Sequence, residues 1–281
     1  MSDKTIAAFH QNYPYLICID SDGTAMDTMN IKHFKCFGPC FVEEFGLEAH
    51  KEEALKRWNQ INLYEKSRGQ LRYVTLLKIL KEYQGKYLDI KDLSFLDDWV
   101  NKSGELSTKS LKEAIEKTHS EVLKKTLEWS EKTNEAIKKL TFDDKKPFKG
   151  VKEAFQAMRG KGDVAAVSGA GAKALEEEWN HYGLAELADV LASQEDGTKG
   201  AIIGKLLPKG YNKDHVLMIG DAFPDITAAE SQGVYFYPIM VKGEEKSWAD
   251  LKNIYLPIFF KGEYGKYQDQ LMKEFYASFD N

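Results

Sequence analysis

Tyr15-Leu-Ile-Cys-Ile19 runs directly into Asp20-Ser-Asp-Gly-Thr24, and the fold class follows from that junction. A short apolar run ending in a polar Gly turn predicts a strand buried on both faces of a parallel sheet. Open α/β sheets bind ligands at the carboxyl ends of such strands. Asp20 and Asp22 fall at that end, and Gly23 permits the tight turn that aims both carboxylates at one point. Thr24 is placed to hydrogen-bond and hold the turn. A calcium loop is the competing reading, and it fails. Gly23 stands at the fourth position rather than the sixth, and the twelfth is Ile31 instead of Glu.

Outward from this junction the pattern changes twice. From about Thr28 to Phe142 it is almost purely helical, as in Lys51–Trp58, Leu71–Tyr83 and the Lys/Glu/Leu/Ala-rich stretch Ser110–Leu140. Gly38-Pro39 is expected to break or kink the first of these helices. Beyond Pro147, helix and strand alternate. Helices are expected at Val151–Met158, Ala172–His181, Lys199–Leu207 and near Asp225–Ser231. Strands are expected at Asp163–Ser168, near Val190–Leu191, at His215–Ile219 and at Val234–Ile239. Amphipathic helices at about Trp248–Phe260 and Tyr267–Phe279 complete the pattern. Alternation of this kind implies βαβ units, hence an α/β fold with a parallel sheet and helices on both faces. The first strand is separated from that sheet by the helical block. The economical organisation is a core of residues 1–27 and 143–281 with an inserted helical domain, 28–142.

Bulk properties narrow the function. The 281 residues are 43% hydrophobic, enough for a sizeable core, and 44 carboxylates against 39 Lys and Arg give a formal charge of −5. Nothing suggests a polyanion-binding surface, so neither nucleic acid nor membrane is expected as a partner. The segment MSDKTIAAFHQNYPY lacks the basic start and apolar core of a signal peptide, and no apolar run is long enough to span a bilayer. Cys18, Cys36 and Cys40 have no metal-like spacing and are expected as reduced thiols, consistent with a cytoplasmic location.

Four clusters fall where strands end or helices begin: Asp20-x-Asp22-Gly-Thr24, Ser168, Lys199, and Gly220-Asp221-x-x-x-Asp225. Phosphoryl transfer needs a nucleophile, cations against the equatorial oxygens and a proton donor for the leaving group. Asp20 fits the nucleophile, since a carboxylate can form an acyl phosphate. Asp22 can act as acid toward the leaving oxygen and later as base toward water. Mg²⁺ prefers a few carboxylates with substrate and water oxygens, and Asp20, the Asp22 carbonyl, Asp221 and Asp225 would suit it. The Ser168 hydroxyl and the amides of Gly169 and Ala170 are offered to a phosphate oxygen, and Lys199 supplies positive charge. Lys205 and Lys209 compete with Lys199 but fall further along or past the helix.

The same four motifs, in this order, resemble those of the haloacid dehalogenase superfamily: Ile17-Cys-Ile-Asp20-Ser-Asp22-Gly-Thr24, Val164-Ala-Ala-Val-Ser168-Gly, Thr198-Lys199-Gly200, and Val216-Leu-Met-Ile-Gly220-Asp221-Ala-Phe-Pro-Asp225. The resemblance implies a Rossmann-like core, Mg²⁺, and Asp20 and Asp22 in the roles above. An insertion between the first and second motifs is the position of a C1-type helical cap. A phosphonate-cleaving or dehalogenating member would not need Asp22. The expected activity is therefore hydrolysis of a small phosphorylated metabolite, with the cap closing over the core from hinges near Asp27, Thr28 and Met29. A phosphoryl mutase or a non-catalytic phosphate-ligand binder remains the alternative.

Within the insertion, Asn62-Leu-Tyr64-Glu-Lys-Ser67-Arg68-Gly69-Gln-Leu-Arg72 stands out. Arg68 and Arg72 are one turn apart. On one helix face they would grip a second anionic group of the substrate, and the equal alternative is an ordinary basic turn at a helix start. The Trp residues are expected as packing, and no His is expected in the site.

Overall fold

A computed structural model describes residues 4–279, so the first three residues of the segment inspected for a signal lie outside it. The chain divides into two compact units. One holds the described residues up to Met29 and from Phe142 onward, the other Asn30–Thr141.

The first unit is built on five parallel strands among the described residues: β1 (Tyr15–Ile19), β2 (Gly162–Val167), β3 (Val190–Ala192), β4 (Val216–Gly220) and β5 (Tyr235–Pro238), in the order β3-β2-β1-β4-β5. The order reverses beside β1, which places the end of β1 at the switch point of the sheet. The alternation of side chains explains the continuous apolar runs. Ile17, Ile19, Val164, Ala166, Leu217 and Ile219 enter one core, while Leu16, Cys18, Ala165, Val167, Val216 and Met218 enter the other. The first face is covered by α1 (Val151–Met158), α2 (Ala172–His181) and α5 (Glu244–Asp250). The second is covered by α3 (Lys199–Leu206), α4 (Phe223–Gln232) and α6 (Gly265–Ala277). This is the expected Rossmann-like α/β arrangement, with strand ends displaced by a residue or so. Burial alone pushes the Cys18 thiol up to about 12, so the thiol beneath β1 is inert.

The chain leaves and re-enters this unit beside the end of β1. The Asp27 amide donates to the Lys146 carbonyl at 2.8 Å and the Phe148 amide to the Ala25 carbonyl at 3.1 Å, with Met26 bridging Pro147.

The second unit is helical throughout its long elements, around Phe37, Phe41, Trp58, Tyr73, Leu76, Leu80 and Trp129. Three local expectations are corrected, two in this unit and one in the first. Gly38-Pro39 does not end its helix. A π-helical segment, His33–Phe37, leads into the α-helix Gly38–Glu44 with Pro39 in its first turn. The wider turn shifts the carbonyl register ahead of the residue that lacks an N–H. Pro257 is handled the same way, after the π-helical segment Leu251–Tyr255, so the expected helix Trp248–Phe260 is three successive pieces from Glu244 to Phe259. The stretch Ser110–Leu140 is two helices, Thr108–Thr118 and Glu121–Lys138. His119 takes the left-handed conformation, with φ 53°, and Ser120 caps the second helix by accepting from the Leu123 amide at 3.3 Å. Periodicity continued across a break that only backbone geometry reveals.

Candidate active site

The end of β1 carries the central carboxylate. The Asp20 amide donates to the Ile219 carbonyl at 3.0 Å, extending the sheet by one bond and leaving the side chain at the rim, 4% exposed. Gly23 then adopts φ 85°, and its amide donates to the Met26 carbonyl at 2.8 Å. That turn brings the chain back so that the Thr24 hydroxyl donates to Asp221 Oδ1 at 2.6 Å. Asp22 accepts a hydrogen bond from the Thr28 hydroxyl. Thr28, expected as a hinge, is thus tied to the turn.

Asp221 follows β4 directly, and Asp225 lies in the first turn of α4, where Asp225 Oδ2 accepts from the Ala222 amide at 3.1 Å. Asp20, Asp221 and Asp225 are all buried and offer ligand oxygens within 4.8 Å of one another. Lys199, at the start of α3, reaches into this cluster. Its Nζ lies 2.8 Å from Asp20 Oδ1 and 2.5 Å from Asp225 Oδ1. Its two competitors point elsewhere, Lys205 to the Asp196 carbonyl and Lys209 to the Phe9 carbonyl.

Three carboxylates and one ammonium leave a buried excess of negative charge. Burial raises Asp20 well above the usual carboxylate range. Lys199 opposes that rise, and Asp225 and Asp221 add to it. Asp225 is raised for the same first reason. Burial works against the Lys199 charge too, but Asp20 and Asp225 more than offset it and hold the ammonium protonated far above neutrality. A hard divalent cation fits this donor set: oxygen ligands only, closely grouped, short of positive charge. Proton and metal then compete. As pH falls, the raised carboxyls of Asp20 and Asp225 take up protons before ordinary carboxylates do. Mg²⁺ affinity measured by calorimetry is accordingly expected to weaken while ordinary surface carboxylates are still ionised. An affinity constant down to the usual carboxylate range contradicts this electrostatic picture.

Ser168 follows β2, its amide donating to the Ala192 carbonyl at 3.0 Å, and it is 1% exposed. One detail differs from expectation. The Ala170 amide donates to Ser168 Oγ at 3.0 Å, so it is not available to a phosphate oxygen. The bond leaves the Ser168 hydroxyl proton to be donated outward, and the Gly169 amide donates to no described residue.

Arg68 and Arg72 do not share a helix face. The helix begins at Arg72, and Arg68 belongs to the preceding turn, buried, with its Nη1 donating to the Leu63 carbonyl at 3.0 Å. The Arg72 guanidinium lies 4.8 Å over the Phe37 ring, and its Nη1 donates to Asn134 Oδ1 at 2.8 Å and Ser130 Oγ at 3.2 Å. Gly69, with φ 73°, makes the turn that separates the two arginines.

The spacing of the motifs did not reveal the supports of the site. Trp179 and Trp248, expected only as packing, donate their indole N–H groups to the β1 turn, at Ser21 Oγ and the Thr24 carbonyl, both at 2.9 Å. Gly220 is a support of another kind. A Cβ there would sit 2.4 Å from Asp225 Cγ, so Gly220→Ala must displace that carboxylate. Loss of most Mg²⁺ affinity and about a 100-fold fall in kcat/KM are expected, as for a reacting group displaced by about 1 Å. Calorimetry and initial rates check both, and wild-type values for the variant rule out the close approach.

A family profile described as haloacid dehalogenase-like hydrolase matches residues 73–239, which include Ser168, Lys199, Asp221 and Asp225 but not the Asp20 turn. Among solved structures, a protein from Lactobacillus delbrueckii subsp. bulgaricus proposed to be a phosphoglycolate phosphatase is similar at 16% identity and a TM-score of 0.51, covering 82% of this chain and 87% of its own. A predicted phosphatase from Clostridium acetobutylicum aligns at 13% identity and a TM-score of 0.46, over 93% of this chain and 100% of its own. At such identities the likeness is one of fold. No curated protein sequence matches the chain significantly. Since the profile spans more than half of the sequence, and the parallel sheet and its acidic rim stand independently of it, the chain belongs to the haloacid dehalogenase-like hydrolases.

Proposed function

We propose that the protein is a Mg²⁺-dependent hydrolase of small phosphate monoesters that carries the phosphoryl group transiently on Asp20. The observation behind this reading is the Asp20 carboxylate itself. It is buried at the switch point of the sheet, gripped by Lys199 at 2.8 Å, and grouped with Asp221 and Asp225. Bound Mg²⁺, held by Asp20, Asp221, Asp225 and the Asp22 carbonyl, would neutralise charge on the phosphoryl oxygens.

The remaining chemistry belongs to the chain. Asp20 attacks phosphorus, forming an acyl phosphate as the bond to the leaving oxygen breaks. Asp22, oriented by Thr28, gives that oxygen its proton. It then takes a proton from water, whose oxygen attacks phosphorus and frees Asp20, so that Asp22 ends protonated as it began. Ser168 donates to a phosphoryl oxygen, and Lys199 orients Asp20 and offsets its charge. Asp22 favours this reaction over displacement at carbon, which needs no acid at that position.

Phosphate release from a panel of small phosphomonoesters, with and without Mg²⁺, tests the reading. Turnover of at least one ester that disappears on chelation is expected. A folded, Mg²⁺-loaded protein that releases no phosphate from any of them contradicts it.

A further inference from the structure

We infer that Trp179 and Trp248 are positioning residues for the nucleophile, together forming a brace that sets the orientation of the Asp20–Thr24 turn. The inference rests on the role proposed above for Asp20. The two indoles come from different helices, α2 and α5, and both are fully buried. Each spends its N–H on the same five-residue turn, from opposite ends. Trp179 donates to the side chain of Ser21, the residue after the nucleophile, and Trp248 donates to the backbone carbonyl of Thr24.

Phe155 of α1 lies between them, its ring centroid 5.6 Å from that of Trp179 in an edge contact and 6.2 Å from that of Trp248. The three rings make one packed layer, and a buried indole has few rotamers open to it. The bonds therefore transmit position. Trp248 fixes the Thr24 peptide, whose hydroxyl holds Asp221, so one bond orients a residue touching two carboxylates, with Thr24 Oγ1 3.4 Å from Asp20 Oδ2. Trp179 sits on the helix that follows the Ser168 loop, so its bond sets the distance between Ser168 and the start of the turn.

Packing alone does not account for this arrangement. A Phe or Leu would fill either core position. An indole N–H is chosen where a buried acceptor must be met, and here two of them meet acceptors flanking the same carboxylate. Ser21 is itself 1% exposed, a hydroxyl placed where an apolar side chain would pack without cost.

The test uses Trp179→Phe, Trp248→Phe, Ser21→Ala and the double variant Ser21→Ala/Trp179→Phe in the full chain. Ser21→Ala removes the Trp179 acceptor while leaving the aromatic layer untouched, which covers the case of a tryptophan variant that folds poorly. Each single variant is expected to lower kcat about 10-fold with KM within 2-fold, as for loss of geometry at the reacting group. The double variant should be no slower than the worse of its parents, since both remove one bond. Full wild-type kcat in all three singles, or multiplicative losses in the double, overturns the brace.

A second readout does not require turnover. In protein labelled with ¹⁵N at the indoles, the Trp179 and Trp248 signals should shift when Mg²⁺ and beryllium fluoride are added to wild type. Asp20→Asn should not respond to the fluoride. If no ester is hydrolysed but these shifts occur, the proposed reaction fails and the brace stands. If esters are hydrolysed and neither indole signal responds, the brace fails alone.

Discussion

Asp20→Asn is expected to lower kcat by about 10⁴- to 10⁶-fold, the scale of removing a covalent nucleophile, without loss of the fold. The amide keeps the shape of the carboxylate but cannot attack phosphorus, and no neighbour can replace it. Asp221 is engaged by Thr24, and Asp225 is held by Lys199 and the Ala222 amide. The electrostatics add a second, less obvious expectation. Burial, Asp225 and Asp221 raise the Asp20 carboxyl against the pull of Lys199, so its charge is net unfavourable in the metal-free folded state. A group whose folded value is raised destabilises the fold as pH climbs from the unfolded value through the folded one. At neutral pH without metal, Asp20→Asn should therefore melt at or above the wild-type temperature. Lys199 is not orphaned by the change, because Asp225 still pairs with it at 2.5 Å. A variant that melts well below wild type contradicts the charge balance assigned to the site.

Lys199→Met has the second-largest expected effect, and it separates two roles of the same ammonium. Removing it takes from Asp20 and Asp225, grouped with Asp221, the ammonium that pairs with both of them. The metal-free protein should lose on the order of 3 kcal/mol of stability, the cost of breaking a buried pair from one side. The kcat should fall about 10²- to 10³-fold, the usual price of removing a charge that stabilises the transition state. Mg²⁺ affinity should move the other way. The cation no longer shares the site with a competing positive charge, so calorimetry is expected to find tighter binding than in wild type. Weaker binding together with lower kcat would mean that Lys199 organises the site rather than balances its charge. Lys199→Arg should restore the charge but not the rate, since a larger planar guanidinium does not fit the point where the compact ammonium meets both Asp20 and Asp225.

The sequence made the core strands legible because they are buried on both faces. A strand such as Val216–Gly220 leaves no polar residue to confuse the pattern, and helices such as Val151–Met158 and Ala172–His181 begin and end where their periodicity does. The site was legible where one residue type at one spacing has few other uses, as in Asp20-x-Asp22-Gly and Gly220-Asp221-x-x-x-Asp225. What stayed hidden depends on three-dimensional neighbours. The helix break at His119 needs a backbone conformation that a Lys/Glu-rich stretch does not advertise. The π-helical turn before Pro39 continues a helix that the proline was expected to break or kink, and the one before Pro257 divides a helix that was expected to be uniform. Arg68 and Arg72 have helical spacing, yet Gly69 turns the chain between them. The tryptophans that meet the Asp20–Thr24 turn lie 158 and 224 positions from their acceptors. No local pattern can link residues so far apart.

The central claim is that phosphate passes through Asp20, and the direct measurement is to trap it there. The best substrate of the panel is mixed with Mg²⁺-loaded protein, quenched in acid within one turnover, and the peptides are mapped by mass spectrometry. A phosphoryl group on the peptide containing Asp20, absent from Asp20→Asn, is the predicted result. Phosphate release at the wild-type rate from Asp20→Asn, or a phosphoryl group trapped on another residue, contradicts the account.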